Sequence, residues 1–299
     1  MRDGGTAADA RGAVQAVLGL VGPQSSGLGG GAFLVWYDAE SGEVTTLDGR
    51  ETAPLAATPR LFQDENGETL KFFEAVVGGR SVGVPGTPML MEVAHRKWGR
   101  SQWPSLFLPA IRHAEIGFPV SPRMAASVAR DAERLASHPV TAGYFLPGGK
   151  PLAEGDILFN LDYAKSLRLM AAQGAAPFYT GEIAADIVGA GQDANNPGVL
   201  SAVDLALYQV KERPAVCVAY RAHDVCGMGP PSTGGLTVGQ ILGLVQPYDI
   251  AGLGPDSADA WRLIGDASRL AFADRGRYMA ARDYVPVPSS GLLAADYLS

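Results

Sequence analysis

Four of the ten residues in Pro23-Gln24-Ser25-Ser26-Gly27-Leu28-Gly29-Gly30-Gly31-Ala32 are glycine, and the run leads directly into the apolar segment Phe33-Leu34-Val35-Trp36-Tyr37. Glycine so concentrated beside a strand-like segment is expected where the backbone needs unusual torsions, or where another segment comes too close for a Cβ atom. Beyond Asp38 the chain turns at Ser41-Gly42 and resumes as Val44-Thr45-Thr46-Leu47. It then delivers Asp48-Gly49-Arg50-Glu51-Thr52-Ala53-Pro54, so the whole reads as a β-hairpin that ends on an arginine.

The letters Gly27-Leu28-Gly29-Gly30-Gly31-Ala32 match G-x-G-x-x-A, the fingerprint of a dinucleotide-binding turn. That turn works only between a preceding strand and a following helix, because the pyrophosphate sits on the helix N-terminus. Here residues 7–21 before the loop have helical character, and the residues after it are aromatic, β-branched and strand-like. The order is reversed, and the nucleotide reading is set aside.

Residues 23–33, together with Asp48-x-Arg50-Glu51-x-Ala53-Pro54 and the distant Pro230-Pro231-Ser232-Thr233-Gly234-Gly235, resemble the large subunit of the γ-glutamyltranspeptidases. These are N-terminal-nucleophile hydrolases, and cephalosporin acylases are related to them. The motifs fall in the expected order, and the likeness runs through nearly the whole chain. It implies an α+β fold, the four-layer αββα sandwich of that superfamily, completed by a second subunit whose strands share the central sheets. Alone, the chain would leave sheet edges unpaired and would be unstable or poorly soluble.

No run of Pro, Ser or like charges is long enough to be a linker, so residues 1–299 are expected to form a single domain, most of the large subunit. Gly4-Gly5-Thr6-Ala7-Ala8-Asp9-Ala10 resembles a motif that family members usually place after an export signal and further residues. Met1-Arg2-Asp3-Gly4-Gly5 is not itself such a signal. By resemblance the N-terminus looks truncated, and the expected compartment is periplasmic or extracellular.

In the family, a precursor cuts itself, and the new N-terminal threonine of the small subunit is the nucleophile while its α-amine can act as base. No catalytic residue is therefore expected in this chain, which ends at Ser299 before any segment like a Thr-Thr-His small-subunit start. Arg50 is the position carried over as substrate-binding. The family arginine in this motif holds the α-carboxylate of the γ-glutamyl group, and a guanidinium suits it because it offers two parallel charge-assisted hydrogen bonds. The structural alternative is a salt bridge from Arg50 to Asp48 or Glu51. Gly49 departs from the bulkier residue often found there.

The implied activity is transfer of a γ-glutamyl group from glutathione, or another γ-glutamyl amide, to water or to an amino acid or peptide amine through a threonyl acyl-enzyme. The implied partners are the small subunit from the same precursor and a small γ-glutamyl substrate; no cofactor is implied. A glutaryl or cephalosporin acylase is the alternative within the family, since glutaryl lacks the α-amine but keeps a carboxylate for Arg50. An alternative of another class is a non-catalytic homologue whose glycine loop and helices only support an interface.

A net charge of -7 without a Lys/Arg cluster argues against a nucleic-acid or anionic-membrane surface. With 47% hydrophobic and 18% charged residues the chain is ordinarily globular. Its longest apolar run, residues 13–21, is interrupted by Gln15 and is too short to span a bilayer. His95, His113 and His138 lack neighbours at metal-ligand spacings, so no metal site is expected.

If residues 215–220 and 223–228 form a hairpin turning at Arg221 and Ala222, Cys217 falls opposite Cys226. A cross-strand disulfide and two buried free thiols are both open, the thiols being the commoner outcome. Residues 7–21 and 161–173 read as helices, and residues 257–279 as a long one with Ala260, Leu263, Ile264, Ala267, Leu270 and Ala271 as its buried stripe. Arg11 marks a locally altered or solvent-facing helix start. Thr180 is expected to cap the helix that follows it, Ser201-Ala202-Val203-Asp204 has capping-box spacing, and Ser232 or Thr233 is expected either to cap the next helix or to shape an active-site wall.

Overall fold

Thr6 opens the first helix, Ala7–Val21, with a capping box: its hydroxyl accepts from Asp9 N, while the Asp9 carboxylate accepts from Thr6 N at 2.7 Å. Two otherwise orphaned donors at the helix start are thereby satisfied. The computed structural model describes residues 4–192 and 196–299. They divide into two compact units, one made of the chain up to Ala32 and of Gly49–Val210, the other of Phe33–Asp48 and Lys211–Ser299.

The first unit is mainly helical. Ala7–Val21, Thr87–Trp98, Leu108–Ile116, Leu161–Gln173 and Glu182–Gly191 are its principal helices. They surround a core in which Ala16, Leu20, Phe107, Leu167 and Met170 are at most 2% exposed. Burying each large side chain of that set contributes about 1.5–3 kcal/mol. Polar tips at the core edge find partners: Tyr163 donates to Ala16 O at 2.8 Å, and Trp103 Nε1 to Met170 O at 2.7 Å. Short antiparallel strands Phe118–Pro119 and Ile157–Leu158 pair at one edge.

In the second unit the strands Ala32–Tyr37, Val44–Gly49 and Lys211–Pro214 form a sheet in that order, with Thr45 opposite Pro214 and Asp48 opposite Lys211. An ion network is laid across its antiparallel edge. The nearly buried Arg213 donates from Nε to Asp48 at 2.8 Å and from Nη1 and Nη2 to Asp283 at 3.0 and 2.5 Å, and Lys211 reaches Asp283 at 2.8 Å. Those hydrogen bonds hold the Asp283 carboxyl far below the usual carboxylate range. The helices Gly234–Val245 and Ala258–Tyr278 pack on each other, with Gln240 Nε2 donating to Asp274 at 2.6 Å.

The strands Val216–Tyr220 and His223–Gly227 pair with Cys217 opposite Cys226, and the two cysteines are bonded. The register follows the sequence reading, but the commoner expectation of two free thiols is overturned. The two-residue turn puts the thiols on facing positions of one antiparallel ladder, where Cβ atoms approach closely enough to bridge.

Three further expectations differ from the structure. Thr180 does not cap the following helix: Pro177 starts a short helix of its own that ends at Thr180, whose hydroxyl donates back to Ala176 O, and Gly181 is the N-cap of Glu182–Gly191. Leu270 leaves the expected stripe and is 60% exposed, whereas Ala260, Ala267 and Ala271 are buried. Arg11 is not solvent-facing; its Nη1 is buried with no hydrogen-bond partner among the described residues, and desolvation pushes its pKa down to about 10. The Ser201 capping box is present, with Asp204 also accepting from Leu55 N at 2.7 Å.

Candidate functional site

In the glycine loop close approach accounts for Gly31, while a Cβ on Gly29 would meet nothing within 4 Å, and unusual torsions account for none of the four. None of Gly27, Gly29, Gly30 and Gly31 has positive φ. Gly30 O accepts from Gly86 N at 2.9 Å and from Thr87 N at 3.0 Å, so the loop closes the first turn of the helix Thr87–Trp98. Gly31 N donates to Glu51 Oε1 at 2.7 Å. A Cβ atom on Gly31 would sit 2.6 Å from Glu51 Oε2 and 2.7 Å from Glu51 N, a space only glycine can occupy.

Arg50 follows the strand Val44–Gly49 directly, and its side chain is 60% exposed. Its Nε lies 3.3 Å from Glu51 Oε2, so the structural ion pair considered from the sequence exists; for so exposed a pair its stabilisation is small. Asp48, the other acid considered, accepts from Arg213 in the second unit. The Arg50 backbone is anchored separately. Arg50 O accepts from the Tyr208 hydroxyl at 2.8 Å, and the Tyr208 ring stacks on Tyr179 with centroids 5.6 Å apart.

Tyr179 completes that support. Its hydroxyl donates to Pro85 O at 2.8 Å and accepts from Met89 N at 3.2 Å, and burial pushes the phenol far above its ordinary pKa, so it stays neutral. Glycines allow the closeness again. A Cβ on Gly86 would be 2.1 Å from the Tyr208 hydroxyl and 2.0 Å from Gly49 O, and one on Gly49 would be 2.7 Å from Leu90 Cβ. The small residue before Arg50 is thus matched to Leu90.

Arg50 lines a cavity of about 490 Å³ together with Gly29, Glu51, Phe62, Arg80 and Ser81. Among the described residues no histidine or lysine lines it, so the wall offers charge and shape rather than an acid–base pair. A larger cleft of about 860 Å³ shares Gly29, Val82 and Gly83 with it and is lined further on by His138 and Arg134. His95 belongs elsewhere: its Nε2 lies 2.8 Å from Ser101 O and 3.5 Å from Asp9 Oδ1. Among the described residues no cluster of His, Cys, Asp and Glu is arranged to hold a metal ion.

The motif at Pro230–Gly235 lies in the second unit, at the start of the helix Gly234–Val245. Ser232 Oγ accepts from Gly234 N at 3.2 Å, a local turn, and Thr233 Oγ1 accepts from Arg275 Nε at 3.3 Å rather than capping the helix. Sequence reasoning missed Tyr208 and Arg80. Tyr208 precedes a strand without any motif, and Arg80 draws its hydrogen-bond partners from Leu61 and Asn196, far apart in the chain.

Comparison with known proteins bears on this arrangement. The family model described as gamma-glutamyltranspeptidase matches residues 1–299. The glutathione hydrolase proenzyme of Bacillus subtilis (strain 168) is 36% identical over 298 residues, which is 100% of this chain and 50% of that protein. The acylase ACY 1 proenzyme of Pseudomonas sp. (strain SE83) is 34% identical, covering 98% of this chain and 53% of that protein. Among solved structures, Helicobacter pylori gamma-glutamyltranspeptidase superposes with a TM-score of 0.94 at 36% identity, covering 99% of this chain and 84% of that one. The α+β fold expected from the sequence, of the N-terminal-nucleophile hydrolase type, is the fold observed. The chain spans about half the length of the curated relatives it matches.

Proposed function

The chain belongs to the γ-glutamyltranspeptidase family, and on that premise we propose that residues 1–299 are most of the large subunit of a γ-glutamyltransferase or glutathione hydrolase. The nucleophile is the leading threonine of a small subunit cut from the same precursor. Its hydroxyl attacks the γ-carbonyl, its α-amine takes the proton and passes it to the departing amine, and the threonyl ester is then cleaved by water or by an amino acid or peptide amine. No step needs an acid or base from this chain.

One observation carries the reading: Arg50, whose side chain is largely exposed, lines a cavity while Tyr208 holds its backbone and Glu51 its Nε. That arrangement suits two-point capture of the α-carboxylate of a γ-glutamyl donor. In the complete processed enzyme, Arg50→Ala should raise KM for a γ-glutamyl anilide by about 100-fold with a much smaller change in kcat. Unchanged kinetics would defeat the assignment.

Likeness to the Pseudomonas acylase supports a second reading, hydrolysis of glutaryl amides. Side-by-side turnover of a γ-glutamyl and a glutaryl amide separates the two. Turnover of neither by a processed, folded enzyme would favour a non-catalytic homologue. The disulfide supports a periplasmic or secreted location, where such bonds persist.

A further inference from the structure

Arg80 is a second cation in the Arg50 cavity, and neither the motifs nor the donor reading uses it. Its guanidinium is gripped by neutral partners: Nε donates to Asn196 Oδ1 at 2.8 Å and Nη1 to Leu61 O at 2.9 Å. Arg80 lines the cavity, and so does Leu61, whose carbonyl accepts from Arg80 Nη1. Arg80 is half-buried, and among the described residues no carboxylate pairs with it. Glu51, the one acid in the wall among the described residues, is already engaged by Gly31 N and Arg50.

A positive charge held in place by two neutral acceptors, on a residue that lines a cavity and has no counter-ion among the described residues, is an anion site in waiting. It shares its cavity with a group suited to a first carboxylate, and about 490 Å³ is ample for a small peptide. We propose that Arg80 binds a second carboxylate, the free C-terminal carboxylate of a peptide substrate, and so selects γ-glutamyl peptides over γ-glutamyl amides without a distal negative charge. This rests on the donor reading of Arg50.

The test compares glutathione with its glycinamide analogue, in which the terminal carboxylate becomes an amide, on the complete processed enzyme. The wild type should prefer the acid, and Arg80→Gln should lower kcat/KM for the acid about tenfold more than for the amide. Arg80→Lys, which keeps the charge but not the fork, should restore part of the preference. A merely structural role would depress both substrates equally in Arg80→Gln, and that result, or a wild type without preference, overturns the proposal. If neither peptide is turned over, the donor reading has failed. Calorimetric binding of the two peptides then judges Arg80 alone: tighter binding of the acid that disappears in Arg80→Gln upholds it, and equal binding overturns it.

Discussion

The Tyr208 hydroxyl donates to the Arg50 carbonyl at 2.8 Å across 158 residues of sequence. The bond reaches the backbone, not the guanidinium, so it sets where the side chain of this cavity-lining residue starts from. Removing it alone is a clean probe, because Tyr208→Phe keeps the ring that stacks on Tyr179. The expected cost is about 1 kcal/mol in chemical denaturation. The donor KM should rise several-fold, and a loss of stability with KM unmoved would show that the anchor does not serve the site.

Gly31→Ala places a methyl group against both the side chain and the backbone N of Glu51. The backbone contact cannot be relieved by a rotamer change, so the loop itself must shift, with an expected destabilisation of about 1–3 kcal/mol. Gly29→Ala, where a Cβ meets nothing within 4 Å, is the control. Comparing the urea midpoints of the two variants checks this, and equal midpoints would contradict the close-approach account of Gly31.

Asp9 supplies a defined acid sensitivity. Burial works against its charge, but N–H groups of Arg100, Thr6 and Ser101 and the Thr6 hydroxyl outweigh it and hold the pKa at about 2. A folded-state value below the unfolded one contributes stability that is complete above about pH 4 and lost as the pH falls towards 2. The shift corresponds to about 2 kcal/mol. The urea midpoint should therefore drop between pH 5 and pH 3 by less in Asp9→Asn than in the wild type; equal drops would assign the acid sensitivity to other carboxylates.

What the sequence made legible was whatever depends on neighbours in the chain. The helices Ala7–Val21 and Leu161–Gln173, the capping box at Ser201 and the facing of Cys217 and Cys226 all follow from local spacing. The bonding of those cysteines was not legible, because spacing brings thiols together without oxidising them. Leu270 fits a 3.6-residue stripe as well as Ala267 does, yet only packing partners decide which of two such residues is covered. Arg50 could be singled out from its motif, whereas Arg80 became visible only once folding brought Leu61 and Asn196 to it. Thr180 looked like a cap because threonine favours that position, but Pro177 opens a short helix of its own that already includes Thr180.

So many glycines in succession invite the idea of a pliable flap, but Gly30 is tied to a helix start and Gly31 to an acid side chain. The backbone next to Gly29, the residue of this loop that lines the cavity, is already set before anything enters. An incoming molecule meets it with little ordering entropy left to lose, so affinity there should depend on complementary charge rather than on a loop folding around its guest.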